Sequence, residues 1–183
     1  MATWIVDSDH SCATFSIRHM MIAYVHGQFN KLNGAISFDP ADRSAASVDV
    51  EIEVAGVTTG NRKRDDHLLT ADFFDQQKFP VITFKSSKVK SLDGKRMAIA
   101  GNLTLHGVTR PISFEAEFAG PVKSPYGGEI TMGFTASTTI NREDFGMMWG
   151  SEEIEGGGLM TGKEVSITLD VEADIVEQGR AAG

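Results

Sequence analysis

At 183 residues the chain has the length of one domain, and a single barrel or sandwich can use all of it. Its 17 Lys and Arg stand against 25 Asp and Glu, and a net charge of −8 argues against nucleic-acid partners, whose phosphates need clustered cations. The single cysteine, Cys12, excludes an internal disulfide and any multi-cysteine metal site, and its place early in a strand reads as a small buried side chain.

No apolar run approaches the ~20 residues of a membrane-spanning helix, so no stable membrane anchor is expected. No basic, apolar, small-residue leader precedes Trp4-Ile5-Val6. The expected location is therefore cytoplasmic, or periplasmic where a leader has been removed.

After Trp4-Ile5-Val6, the run Asp7-Ser8-Asp9-His10-Ser11 has turn chemistry, and Ala13 to His19 then alternates with Phe15 and Ile17 on one face. Met20-Met21-Ile22 suits a short helical turn at one end of the structure. From Val25 to Phe38 runs a long strand in which Phe29 lies on the odd face but Leu32, Ile36 and Phe38 lie on the even one. That slip of phase predicts a β-bulge near Asn30-Lys31, the device by which sheets bend into barrels. Val48, Val50, Ile52 and Val54 alternate cleanly in the next strand.

The rhythm breaks over residues 60–75, where Leu68, Leu69, Phe73 and Phe74 and an acid-rich lead-in predict one helical insert, with Thr59 or Asn61 as N-cap and Pro80 as its far boundary. Arg62-Lys63-Arg64 runs straight into two aspartates and reads as a solvated helix face. Strands follow over residues 82–89, 97–105, 108–118, 130–140 and 165–175. A hairpin loop is expected at Asp93-Gly94, a two-residue turn at His106-Gly107, one helical turn at Asn141–Gly146 and a long mobile loop over 147–163. The domain then spans 1–176, and residues 177–183 are expected to fray.

Eight strands with one polar face indicate an antiparallel sheet, and an all-β, extended eight-stranded antiparallel barrel with one helical insert is the predicted fold, ahead of a two-sheet sandwich. The inward set is Phe15, Ile17, Phe29, Val50, Ile52, Ile82, Phe84, Ile99, Leu103, Phe114, Phe134, Ile167 and Leu169. From pattern alone this set describes either a packed core or a dry cavity for an apolar molecule.

A series of short motifs adds a further indication. Trp4-x-x-Asp7-x-x-His10-Ser11, Phe15-x-Ile17-x-His19 and Val25-x-Gly27-x-Phe29 come first, with Phe38-Asp39-Pro40 beyond them. Arg64-Asp65-x-His67-Leu68, Asp72-Phe73-Phe74-Asp75 and Phe79-Pro80-x-Ile82-x-Phe84-x-Ser86 follow. Gly101-x-Leu103-Thr104-x-x-Gly107-Val108-Thr109 and Asn141-Arg142-x-Asp144-Phe145-Gly146 complete the series. In this order and spacing the chain resembles the YceI-like family, the lipocalin-like polyisoprenoid-binding proteins. The resemblance implies an eight-stranded barrel whose lumen binds a polyisoprenoid, an isoprenoid quinone or a fatty amide type of lipid as carrier, store or sensor. It implies no catalytic set and no cofactor beyond such a bound lipid or quinone, and family analogy allows a homodimer. Leu68, Leu69, Phe73, Phe74, Met147, Met148 and Trp149 are then the lid or portal residues.

Five histidines, His10, His19, His26, His67 and His106, raise the question of metal, but no pair has the i, i+4 spacing of a zincin site, and no metal ligand set is assigned. His10 and His19 read as turn caps, His67 as bonding a strand end across the barrel mouth, and His106 as exposed. No Gly-x-Ser-x-Gly elbow or phosphate-cradling glycine loop is present. The reading is a non-enzymatic lipid-binding barrel. Its rivals are a metal-assisted enzyme acting on an apolar substrate and a stress-linked interaction module with a filled barrel.

Overall fold

The alternation written along the chain becomes ten strands of one antiparallel sheet in the computed structural model, which describes residues 1–43 and 45–176. The expected fraying of 177–183 lies outside the described residues. The strands are β1 (Ala2–His19), β2 (Ala23–Phe29), β3 (Leu32–Phe38), β4 (Ser47–Glu53), β5 (Val57–Thr58), β6 (Val81–Ser91), β7 (Arg96–Leu105), β8 (Val108–Lys123), β9 (Ile130–Asn141) and β10 (Thr161–Ile175). One α-helix, α1 (Arg62–Leu68), stands between β5 and β6. Among the described residues no helix is long and apolar enough to cross a membrane.

The sheet closes because β1 pairs with β10 as well as with its neighbours on the other side. β2 and β3 both lie along β1 and form one bent stave, and β4 and β5 pair with β3 and β2 as the next. Counted by staves, the ring is an eight-stranded up-and-down barrel. Closure leaves no long edge exposed, which removes the usual route to edge-to-edge association.

Bulges at mid-height set which residues face inward. On β1, Ser8 to Ser11 lie between the pairs Asp7↔Glu172 and Cys12↔Asp170, so the inward positions change from Trp4 and Val6 to Ala13, Phe15 and Ile17. This corrects the expected turn at Asp7–Ser11, which is instead a bulge within an 18-residue strand. Ser11 pins it, its hydroxyl accepting from Glu172 N at 3.0 Å. The predicted slip at Asn30-Lys31 is there, and it separates β2 from β3. On β6 the register shifts between Ser86 and Lys88, moving the inward set from Ile82 and Phe84 to Val89. An extra residue in one strand inverts the two-residue period beyond it, and the staves that bulge also bend.

The two halves of the barrel interior differ. Near the N-terminal end of β1 it is filled by Trp4, Val6, Phe38, Met97, Phe118 and Met132, all buried. Phe38 meets Phe118 and Phe134 edge-on at 4.9 and 5.3 Å, and Trp4 Nε1 donates to Phe38 O at 3.0 Å. Aromatic rings in such contacts fill volume that short aliphatic side chains would leave open.

The helical insert is shorter than predicted. Asn61 caps α1 by accepting from Arg64 N, and the helix runs for 7 residues only. Thr70 ends it by turning its hydroxyl back to His67 O at 2.8 Å, and Phe74 N then bonds Leu68 O. Asp75 takes a left-handed conformation at φ 47°, so residues 69–79 form linked turns rather than helix. His106-Gly107 forms the predicted two-residue turn, with φ of 52° and 73°. The segment 147–160 contains a small hairpin, closed by the Glu153↔Leu159 bridge and turned through Gly156, Gly157 and Gly158 at positive φ.

Candidate functional site

The half of the barrel toward the C-terminal end of β1 encloses a cavity of about 530 Å³. Phe15 and Ile17 reach it from β1, Phe29 from β2, and Val50 and Ile52 from β4. Ile82 and Phe84 reach it from β6, Ile99 and Leu103 from β7, Phe114 from β8, and Ile167 and Leu169 from β10. Phe134 does not, because it sits further along β9 against Phe38 in the filled half. Further wall positions, Ala13, Leu105, Ala136, Ile140 and Val165 among them, follow from the same alternation.

A glycine makes room on this wall. A Cβ on Gly101 would stand 2.6 Å from the Phe84 ring and 2.4 Å from Lys85 O, so only glycine lets Phe84 lie along β7. Phe84 in turn meets Phe114 edge-on at 5.1 Å. Large rings held back against the strands leave the axis of this half open.

The insert and the segment after β9 meet over the mouth. Leu68, Phe73, Phe74, Met147 and Trp149 line the cavity there, whereas Leu69 packs against the core behind and Met148 is exposed. His67 presents its ring edge to Phe73 and Trp149 at centroid distances of 5.1 and 4.9 Å, and Phe73 and Trp149 lie 5.1 Å apart. These three rings join the insert to the opposite loop. The hydrogen-bond partner of His67 is Asp72 at 2.7 Å, a residue of the insert and not the strand end expected.

Arg64 and Asp65 hold the insert to its own lead-in. Asp65 accepts from Thr59 N at 2.8 Å and from Thr59 Oγ1, while Arg64 Nε donates to Thr59 Oγ1 at 2.7 Å and Nη2 to Thr59 O at 3.0 Å. Lys63 and Arg64 border the cavity, so the basic run is a flank of the mouth as well as a helix face.

Arg142 is the residue that sequence reading missed. A short 3₁₀ turn over Arg142–Phe145, capped by Asn141 and ended by Gly146, buries the residue to 2% exposure. Nε donates to Gly162 O at 2.8 Å, Nη1 to Met147 O at 2.5 Å, and Nη2 to Thr161 O at 3.2 Å and Ser151 Oγ at 3.1 Å. Burial pulls its pKa below the ordinary arginine range. Glu143 is turned to Ser151 and Lys163, which hold its carboxyl below the usual range. Asn141-Arg142 at the end of a strand was the available signal, but one arginine after a strand looks like any exposed cation.

The other titratable groups lie elsewhere. His106 is half-buried, not exposed: its Nδ1 pairs with Phe145 O at 3.0 Å and its ring meets Phe79. Asp7, His10 and Glu172 bring ligand atoms within 4.8 Å of one another at the β1 bulge. None of the three lines the cavity. Asp7 accepts from His10 Nδ1 at 2.7 Å, and that bond raises the imidazole pKa and lowers the carboxyl's. Burial pushes the Cys12 thiol up, away from reactivity.

A family model described as a YceI-like domain matches residues 4–173. The chain belongs to the YceI-like family. A UPF0312 protein of Pseudomonas putida is 36% identical over 172 residues, covering 94% of this chain and 84% of its own. The crystal structure of the Campylobacter jejuni YceI protein is similar, with TM-score 0.73 and 33% identity over 87% of this chain and 90% of its own. A polyisoprenoid-binding domain from Saccharophagus degradans shares the fold, with TM-score 0.70 and 17% identity over 94% of this chain and 98% of its own. In this YceI-like barrel the polar residues of the motifs mostly stand at bends. Asp7, His10 and Ser11 hold the β1 bulge, Asp65 the insert, and Asn141 and Gly146 the turn that buries Arg142.

Proposed function

We propose that this protein binds a long-chain apolar lipid, of polyisoprenoid, isoprenoid quinone or fatty amide type, within the barrel, without chemical conversion. The observation that carries this reading is the contrast between the halves of one barrel: one packed with aromatic rings, the other walled by hydrocarbon around about 530 Å³. That volume falls in the roughly 300–1,000 Å³ range of small-molecule sites. Each methylene that leaves water for such a wall contributes ~0.8 kcal/mol, so a chain needs few polar contacts to bind tightly. Among the described residues no cysteine, serine or carboxylate lines the cavity, so the usual Ser, Cys and carboxylate nucleophiles are missing from its wall, which favours binding over covalent catalysis.

Carrier, store and sensor all use such a container, and the rim favours the carrier. Met20, Met21 and Ile22, which follow the cavity-lining His19, are exposed, their turn tied to the neighbouring 147–160 segment by Met20 N to Met160 O at 2.8 Å. Met148 and Trp149 are exposed on that same segment. An apolar surface of that kind suits cargo passing between the barrel and a lipid surface.

Mass spectrometry of an organic extract of the purified protein tests the reading, with a long-chain apolar molecule as the expected finding. Leu103→Glu places a charge on the wall, and the folded variant is expected to lose uptake. Failure to find or load any such molecule, or unchanged uptake by folded Leu103→Glu, would overturn it.

A further inference from the structure

The bulge in β1 gathers three metal-ligating groups on the outer wall of the barrel, away from the cavity. On β10 only Val171 separates the partners of Asp7 and Cys12, so Ser8 to Ser11 form an excursion that carries His10 back to Asp7. Asp7 and Glu172 are directly opposed partners on β1 and β10, and their side chains leave the sheet on the same face. One ligand atom each from Asp7, His10 and Glu172 lies within 4.8 Å of the other two. Ser11 fixes the strands beneath, its hydroxyl bonding Glu172 N at 3.0 Å and Glu172 O at 3.3 Å.

Glu172 is the member of this group that the fold leaves unsatisfied. It shares one face of β10 with Asp170 and Asp174, and β9 treats the three acids differently. Thr135 donates to Asp170 at 3.1 Å and Thr131 to Asp174 at 2.5 Å. The β9 partner of Glu172 is Gly133, which has no side chain to offer. Among the described residues the Glu172 carboxylate accepts no hydrogen bond and joins no ion pair. Like charges directly opposed destabilise a strand pair, yet Asp7 and Glu172 face each other with no lysine or arginine paired to either, among the described residues. A cation held between them removes that repulsion.

We propose that Asp7, His10 and Glu172 form a site for a divalent transition ion of the zinc class, with water completing its shell. One imidazole and two carboxylates suit such an ion, whereas calcium and magnesium take oxygen ligands. Ligand atoms about 2.0–2.2 Å from one ion stand roughly 3–4.4 Å apart, and the untethered Glu172 side chain closes the remaining distance. Asp9 N holds Asp7 Oδ1 at 2.9 Å, which aims Oδ2 at His10 and orients the carboxylate as an outer-shell partner does. The ion replaces the proton shared by Asp7 and His10, and binding releases it. Because β1 and β10 are the pair that closes the sheet, the ion staples the barrel seam at its bulge. None of the three ligands reaches the cavity, so the site is independent of lipid binding.

Calorimetric titration and thermal unfolding of the full chain, stripped with EDTA and desalted, test the site with zinc chloride as probe and magnesium chloride as control. Zinc is expected to bind one ion per chain and, at a hundredfold excess over its Kd, to raise the thermal midpoint by about 5 °C or more. Glu172→Gln keeps the shape of a side chain that bonds nothing, so its fold and metal-free midpoint should stay unchanged. Its zinc affinity is expected to fall at least tenfold, since even a group that only orients a ligand is worth that much. His10→Ala is expected to abolish the midpoint shift, and the His10 imidazole resonances of the wild type should move on adding zinc. No zinc binding by the wild type would overturn the proposal. Zinc affinity unchanged in both folded variants would place the ion at other histidines and overturn it too. A midpoint raised equally by magnesium would show screening of surface charge alone, again against the proposal.

Discussion

Arg142, itself 2% exposed, places a guanidinium where it joins β10 to the segment after β9 through four hydrogen bonds. Removing the fork leaves three buried carbonyls short of a donor, and each such loss costs about 1–3 kcal/mol before relaxation. Arg142→Met is expected to lower the free energy of unfolding in urea by about 3 kcal/mol, and a loss below ~0.5 kcal/mol would contradict the role assigned to it. A second residue-scale prediction concerns pH. His10 is raised by Asp7, so its contribution is fully present below the ordinary imidazole value near 6.5 and is lost as pH rises through the raised value. Asp7 is lowered, so its share is present above the ordinary carboxylate range and disappears as pH falls through the depressed value. Thermal stability is expected to decline as pH rises from 6 to 8.5, and His10→Gln should flatten part of that decline. Parallel curves for the two proteins would count against the pair.

The elements were legible in the sequence where side-chain period alone decides them. Alternation placed the main strands, the slip between Phe29 and Leu32 located the break between β2 and β3, and Asn61 was among the candidate caps. Period gives the face of a residue but not its height along the barrel. Phe114 and Phe134 both point inward, yet Phe114 lines the cavity and Phe134 packs on Phe38. Asp7–Ser11 looked like a turn because a bulge and a turn use the same short polar residues, and only cross-strand pairing separates them. The insert was overlong because Leu68, Leu69, Phe73 and Phe74 fit a helical stripe, whereas the turn bonds after Thr70 redirect the chain. Cavity-flanking Lys63, Arg64 and Arg142 were missed because nothing in local pattern shows which way a cation faces. The strand pairing itself is testable at Gly101, where an added Cβ meets Lys85 O at 2.4 Å. Gly101→Ala is expected to cost about 2–3 kcal/mol, since backbone must move, while Gly133→Ala, nearest Ala119 at 3.9 Å, should stay within ~0.5 kcal/mol. Equal, small costs would mean that β6 and β7 do not lie as described.

At the scale of the whole molecule, closure of the sheet and packing of one half let the other half stay open. The filled half supplies a base of buried rings, and the insert and the 147–160 segment meet over the mouth of the open half through His67, Phe73 and Trp149. The central claim is that the open half is the binding site. Ala136→Trp addresses it most directly, because Ala136 lines the cavity and an indole there occupies the space without adding a buried charge. In a packed core such a change strains its surroundings, but in a hollow one it fills. The predicted result is a thermal midpoint unchanged or raised, with affinity for a long-chain lipid lowered by about tenfold or more, the equivalent of displacing about two methylenes from the wall. A folded Ala136→Trp protein that binds the same lipid as tightly as the wild type would contradict the account.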